Sequence, residues 1–341
     1  MPSEIERLNP GLRDLVRISR RTVNHANFDW LSRLQPVTFL HFTDIHGSRR
    51  AIQRVTELME AFTGLYDDAV FTGDMVRLRY STGIDFWRET PGSEKILTCV
   101  GNHDTLNAPD KVWDWTDMVS MQTQAETYIE PFIGHWGSGI TYTPGTTYYA
   151  KRYEAQKVLL LVLCTVIADE DQPAQLAFLK AQLAAAKQDD YAVVIAQHDT
   201  PVENEVLPGA WSAYEEKPHP PCGTGVRTEM LRAVQDFIDG GGFFFCYLCG
   251  HSHLDFLCRS TEFPDQWFVV AGTSDCYRGN RRSDGFRRLN DKSEDLINFA
   301  TFDRESHTVK LIRAGYDRDF LLRHRGVLVF DCQKHCVLYS E

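Results

Sequence analysis

Seven short runs rich in Val, Ile, Leu and Phe recur along the chain, at Val37–Phe42, Ala69–Phe71, Ile96–Val100, Val158–Cys164, Ala192–Ala196, Phe243–Leu248 and Trp267–Val270. Each is bounded by Gly, Asp, Asn or Thr, the pattern of a strand buried on both faces and stopped by turn chemistry. Segments with helical spacing lie between some of them. Ala51, Val55, Leu58, Met59 and Phe62 share one helical face that stops at Gly64. Leu176, Leu179 and Leu183 form a second such face behind Pro173, a residue suited to a first helical turn. Val226, Met230, Val234 and Phe237 form a third, with Thr224 as its cap and Gly240–Gly242 at its end. Strand–helix alternation of this kind predicts an α/β layered domain.

Towards the C-terminus the pattern changes. Ile297–Phe302, Val309–Ile312 and Val327–Phe330 read as antiparallel strands with no helix between them, and the first 36 residues read as a helical preface. Residues 105–150, 200–223 and 274–295 show no period and read as long loops.

Composition narrows the partners. Against 36 Lys and Arg stand 47 Asp and Glu, a formal charge of −11, whereas nucleic acids and anionic membranes reward an excess of cations. The N-terminus is charged throughout, and the longest apolar run, Val158 to Ala168, is far short of the roughly 20 residues that span a bilayer. Nine scattered cysteines, mostly inside apolar runs, suit free buried thiols in a reducing compartment. The expected location is cytoplasmic. Cys246 and Cys249 form a CxxC within a strand, where side chains three apart point to opposite faces and make a poor metal site.

The strand ends carry the chemistry. The first strand runs into Asp44 and His46, the second into Gly73 and Asp74, the third into Asn102, His103 and Asp104. A later one ends at His198, and "LCGHSHLD" closes another with His251 and His253. Taken singly, each is ordinary: a capping Asp, a Gly-Asp turn, a satisfied core histidine. Ligand sites of open α/β sheets lie at the carboxyl ends of the strands, and here five separate strands end in metal-binding residue types. Two Asp, one Asn and four His without Cys suit a pair of divalent or trivalent ions rather than a structural thiolate zinc. Two closely spaced ions need a bridging ligand, and Asp74, central in the order of strands, is the candidate.

The ordered series Asp44-x-His46, Gly73-Asp74, Gly101-Asn102-His103-Asp104, His198 and Gly250-His251-x-His253 resembles the calcineurin-like metallophosphoesterases. Its motifs run from 44 to 253, and the similar domain is expected over 37–315. Residues 1–36 would form an N-terminal helical extension, and 316–341 a C-terminal β-hairpin extension packed on the same domain. The resemblance implies an α/β fold, a four-layer α/β/β/α sandwich of two mixed sheets flanked by helices. It also implies that Asp44, His46 and His253 hold one ion, that Asn102, His198 and His251 hold the other, and that Asp74 bridges. Mn, Fe, Zn or Co are the metals expected. His103 would assist the leaving group, oriented by Asp104, while water activated by the two ions attacks phosphorus. One position departs from the family pattern: Arg77 stands where many relatives carry Asp or Asn, which leaves the ligands intact.

The expected activity is therefore hydrolysis of phosphate esters, monoester or diester, with a small phosphorylated substrate such as a nucleotide. Two divalent ions against two carboxylates would make a phosphate-attracting site inside an acidic protein. The alternative is a non-catalytic scaffold of the same fold that binds a protein partner through its long loops. Trp113, Trp115, Tyr128 and Trp136 could stack on a base or form a local core. Arg278, Arg281, Arg282, Arg287 and Arg288 could clamp a second phosphate or belong to a solvated loop.

Overall fold

A computed structural model describes residues 35–77, 81, 83–106, 118–201, 204–206, 228–253, 255–276, 287–290, 294–315 and 327–340. The N-terminal helical preface, Trp113, Trp115, Arg278, Arg281, Arg282 and most of the 200–223 stretch lie outside them.

Two mixed sheets make up the framework. The first orders its strands β15-β14-β13-β12-β1-β2-β3, where β1 is Val37–Phe42, β2 Asp68–Phe71, β3 Leu97–Thr98, β12 Leu296–Asp303, β13 Thr308–Gly315, β14 Val327–Asp331 and β15 Cys336–Ser340. β1, β2 and β3 run parallel, and antiparallel pairing from β12 to β15 extends that sheet through the C-terminal strands. The second orders β4-β5-β6-β7-β9-β11-β10-β8, with β4 at Ile140–Tyr142, β5 at Tyr149–Tyr153, β6 at Val158–Val162, β7 at Ala192–Ala196, β8 at Asn204–Val206, β9 at Phe243–Cys249, β10 at Phe256–Ser260 and β11 at Trp267–Val270. Its centre, β6-β7-β9-β11, is parallel. Parallel strands need both faces covered, which is why these segments read as unbroken apolar runs.

The sheets face one another across an aromatic core. Phe39 of β1 lies 5.3 Å from Tyr153 of β5, and Phe245 of β9 lies 5.3 Å from Phe302 of β12. Helices flank the outer faces. α1 (Arg49–Ala61) starts at Ser48, whose hydroxyl accepts a bond from the Ala51 N–H, and beyond its end Phe62 packs on Phe299 of β12. The second sheet is covered by two helices that pack on each other, Gln172–Gln188 with Pro173 in its first turn and Thr228–Asp239.

Two of the three expected loops are partly regular. The 105–150 stretch contains the helix Met121–Tyr128 and strand β4, and it runs into β5. The helix is one short, largely polar segment and β4 has three half-exposed or exposed residues, so neither leaves a period to find. Tyr128 and Trp136 there are 1% and 2% exposed, and Trp136 stacks on Tyr149 at 4.6 Å. Both are core residues rather than stacking platforms for a base. Arg287 is likewise buried, its guanidinium donating to the carbonyls of Thr273, Ser274 and Glu294, so it is no phosphate clamp.

Candidate metal centre

All five strand-end motifs meet at one end of the sandwich. The loop after β1 continues to pair with the loop after β2: Asp44 N–H donates to Gly73, His46 N–H to Asp74 and Gly47 N–H to Met75. The Asp104 carboxylate then ties that second loop to the loop after β3, accepting from the N–H groups of Gly101, Asp74 and Val76 at 2.8–2.9 Å. The hydrogen bonds of its oxygens thus run to backbone, fixing the frame on which His103 is carried. Burial and the adjacent Asp74 push the Asp104 carboxyl up to about 7, with the Gly101 and Val76 N–H groups pulling the other way.

Close approach demands glycine at two of these turns. A Cβ on Gly250 would collide with the Thr43 hydroxyl, and one on Gly101 would collide with Asp74. Five of the seven candidate ligands, Asp44, His46, Asp74, His251 and His253, sit at φ between 48° and 68°. Left-handed backbone costs a non-glycine residue on the order of 1 kcal/mol, and such strain gathers where a loop is held for function.

The side chains form two groups. In the first, His46 Nε2 lies 2.8 Å from His253 Nε2, 3.5 Å from Asp44 Oδ1 and 3.7 Å from Asp74 Oδ2, and His253 Nε2 lies 3.3 Å from Asp44 Oδ1. In the second, His198 Nε2 lies 3.3 Å from Asp74 Oδ1, 3.1 Å from Asn102 Oδ1 and 3.0 Å from His251 Nδ1. Asn102 Oδ1 is 2.9 Å from His251 Nδ1. Asp74 belongs to both. The ligand atoms of Asp44, His46, Asp74 and His253 all lie within 4.8 Å of one another, as do those of Asp74, His198 and His251.

The donor set fits a cation. Two imidazole nitrogens 2.8 Å apart can share at most one proton, and they face carboxylate oxygens of which one, buried Asp44 Oδ1, has no hydrogen-bond partner. His198 donates from Nδ1 to the Thr72 carbonyl at 2.6 Å, which leaves the lone pair on Nε2 pointing into the cluster. Burial works to raise the Asp44 carboxyl, but His253, His46 and His198 outweigh it and hold it well below the ordinary range. Asp74 behaves alike, lowered by His198, His103 and His46 against burial. Burial lowers His46 to about 3 and also lowers His251. For His198 burial is outweighed by Asp74, Asp44 and Asp199, which raise it well above 6.5. Asp44 and Asp74 are thus held ionised, and the proton favoured on His198 sits where a cation would compete.

His103 lies at the rim. Its side chain is 14% exposed, its ring makes an edge contact with His46 at 4.7 Å, and its Nε2 is 3.8 Å from Asp74 Oδ2. Its backbone N–H donates to Asp74 Oδ1. Arg77 is exposed. The sequence motifs did not single out Asp199, whose Oδ1 lies 3.3 Å from His251 Nδ1. The signal was present, because "QHDT" at 197–200 repeats the His-Asp-Thr of "NHDT" at 102–105.

No family model matches the chain, and no curated protein matches it. Solved structures do. One is a dimetal phosphatase from Danio rerio, 12% identical over 82% of this chain and 99% of that one, with a TM-score of 0.48. Phosphopantetheinyl hydrolase from Mycobacterium tuberculosis is 15% identical over 74% and 94%, with a TM-score of 0.35. GAP50, the anchor in the inner membrane complex of Plasmodium, is 10% identical over 90% and 88%, with a TM-score of 0.42.

Proposed function

We propose that the chain is a calcineurin-like metallophosphoesterase that hydrolyses phosphate esters of small phosphorylated molecules, nucleotides among them. The observation that carries this reading is the convergence of donors from five strand ends into two groups joined through Asp74. Asp44, His46 and His253 would hold one ion and Asn102, His198 and His251 the other, with Asp74 serving both. Bound there, two ions would supply positive charge to the phosphoryl oxygens and make water acidic enough to act as a nucleophile near neutral pH.

The chain's own residues do the rest. Asp104 and the paired loops hold the donors in place before substrate arrives, so little reorganisation is needed during reaction. His103, part-buried at the rim beside Asp74, would hand a proton to the leaving oxygen. A complete donor set with this acid candidate weighs against a scaffold without turnover. Among the described residues no helix is long and apolar enough to cross a membrane, and the described cysteines are all free. Free, mostly buried thiols support a cytoplasmic setting.

The test is a matrix of metals (Mn²⁺, Fe²⁺, Co²⁺, Zn²⁺) against a chromogenic phosphomonoester and a phosphodiester, run on wild type and His103→Ala. Metal-dependent turnover that falls by ~10²–10⁴ in His103→Ala, with metal content unchanged, is expected. Equal rates in the two proteins, or turnover indifferent to chelator, would refute it.

A further inference from the structure

We infer that Asp199 is a further ligand of the ion held by Asn102, His198 and His251. This rests on the two-ion reading above. Without Asp199 that ion has only the shared carboxylate of Asp74, whereas its neighbour also has Asp44.

Asp199 is 2% exposed and follows His198 at the end of β7. Its backbone carbonyl is fixed by the Gln197 amide at 2.8 Å, and its Oδ2 accepts from the Thr165 hydroxyl at 3.0 Å. Its Oδ1 is buried and has no hydrogen-bond partner. That atom lies 3.3 Å from His251 Nδ1, the same nitrogen that stands 2.9 Å from Asn102 Oδ1 and 3.0 Å from His198 Nε2.

The side of the ring decides between two roles. A carboxylate that only orients a metal-binding histidine takes the N–H on the far side of the imidazole. Here the far nitrogen, His251 Nε2, has no hydrogen-bond partner, and the carboxylate sits on the near side, 3.3 Å from Nδ1. Asp44 offers the pattern for comparison. One of its oxygens accepts from the Thr43 hydroxyl at 2.7 Å, and the other faces imidazole nitrogens without a hydrogen bond. Thr165 and Asp199 repeat that arrangement on the opposite side of Asp74. An unpaired carboxylate oxygen is costly in a buried site, and a cation relieves the cost. A third carboxylate would also shift preference at this position towards an oxygen-loving ion such as Mn²⁺.

The experiment is a chelator-competition titration of Mn²⁺ into the full chain, comparing wild type with Asp199→Asn. Wild type should take up two ions. Asp199→Asn should keep the first at wild-type affinity and bind the second more than about 100-fold more weakly, beyond the 10–100-fold expected from losing an orienting neighbour. A smaller change in the second affinity overturns the assignment. If Asp199→Asn does not match the circular dichroism of wild type in chelator, Thr165→Val decides. It keeps the carboxylate but unties it, so the second ion should weaken by about tenfold, and an unchanged affinity overturns the assignment. A wild type that binds fewer than two Mn²⁺ instead overturns the two-ion reading itself.

Discussion

Charge is buried at both ends of the sandwich, but on different terms. At the start of β2, Asp68 accepts from Lys151 and Tyr153 of β5, and the Lys151 ammonium also donates to the Trp136 carbonyl at 2.7 Å. The pair spans the two sheets, and the chain supplies both partners. At the other end Asp44 and Asp74 are buried more deeply than that pair, yet among the described residues their side-chain ion-pair partners are all histidines. Where the protein provides its own ammonium it makes a fastening. Where it withholds one it leaves room for a cation from outside.

Removing the shared carboxylate should break the contrast most severely. Asp74→Asn keeps an acceptor for the His103 N–H but removes the charge common to both donor groups. We expect loss of bound metal to at most one ion per chain, measured by elemental analysis after dialysis, and hydrolysis at background. Next in size is the opposite end. Lys151→Met leaves Asp68 with only the Tyr153 hydroxyl, and the Trp136 carbonyl without its donor, which should cost about 1–3 kcal/mol of stability in urea unfolding while leaving metal content unchanged. Metal loss in that variant would mean that the two ends are not independent.

The third test is a pH dependence of the metal-free protein. His41 is wholly buried behind the site, with Nε2 3.0 Å from the Thr72 hydroxyl, and burial lowers it to about 3 against the pull of Asp44. The unfolded chain takes up that proton near 6.5 and the folded one refuses it until about 3. Stability is therefore intact above the upper value and declines through the window as pH falls. His41→Gln should flatten the decline by about 1.4 kcal/mol per pH unit within that window, read from urea midpoints. An unaltered slope would show that His41 is not the group refusing the proton.

The two ends also differ in how far the sequence discloses them. Metal-binding residue types after an apolar run are visible because parallel strands put their C-terminal turns on one edge. The runs Val37–Phe42, Ala192–Ala196 and Trp267–Val270 match their strands end to end. The Lys151–Asp68 pair is invisible by the same reading. "YAKRY" looks half-polar, and only contact with a residue 83 positions away makes Lys151 a core residue. β8 and β10 carry no such edge signal, since β8 has three residues and β10 mixes Arg and Ser into its run. Asp199 escaped for another reason: a carboxylate beside a histidine becomes a ligand candidate only when its free oxygen is seen next to another ligand's nitrogen, here His251 Nδ1. The left-handed backbone at Asp44, His46, Asp74, His251 and His253 is equally a property of packed loops rather than of residue type.

Diffraction from crystals grown with Mn²⁺, collected at the metal absorption edge, asks the question most directly. Two anomalous peaks flanking the Asp74 carboxylate are expected, one beside Asp44, His46 and His253 and the other beside Asn102, His198 and His251. A single peak, or none within reach of Asp74, would contradict a two-ion centre at the strand ends.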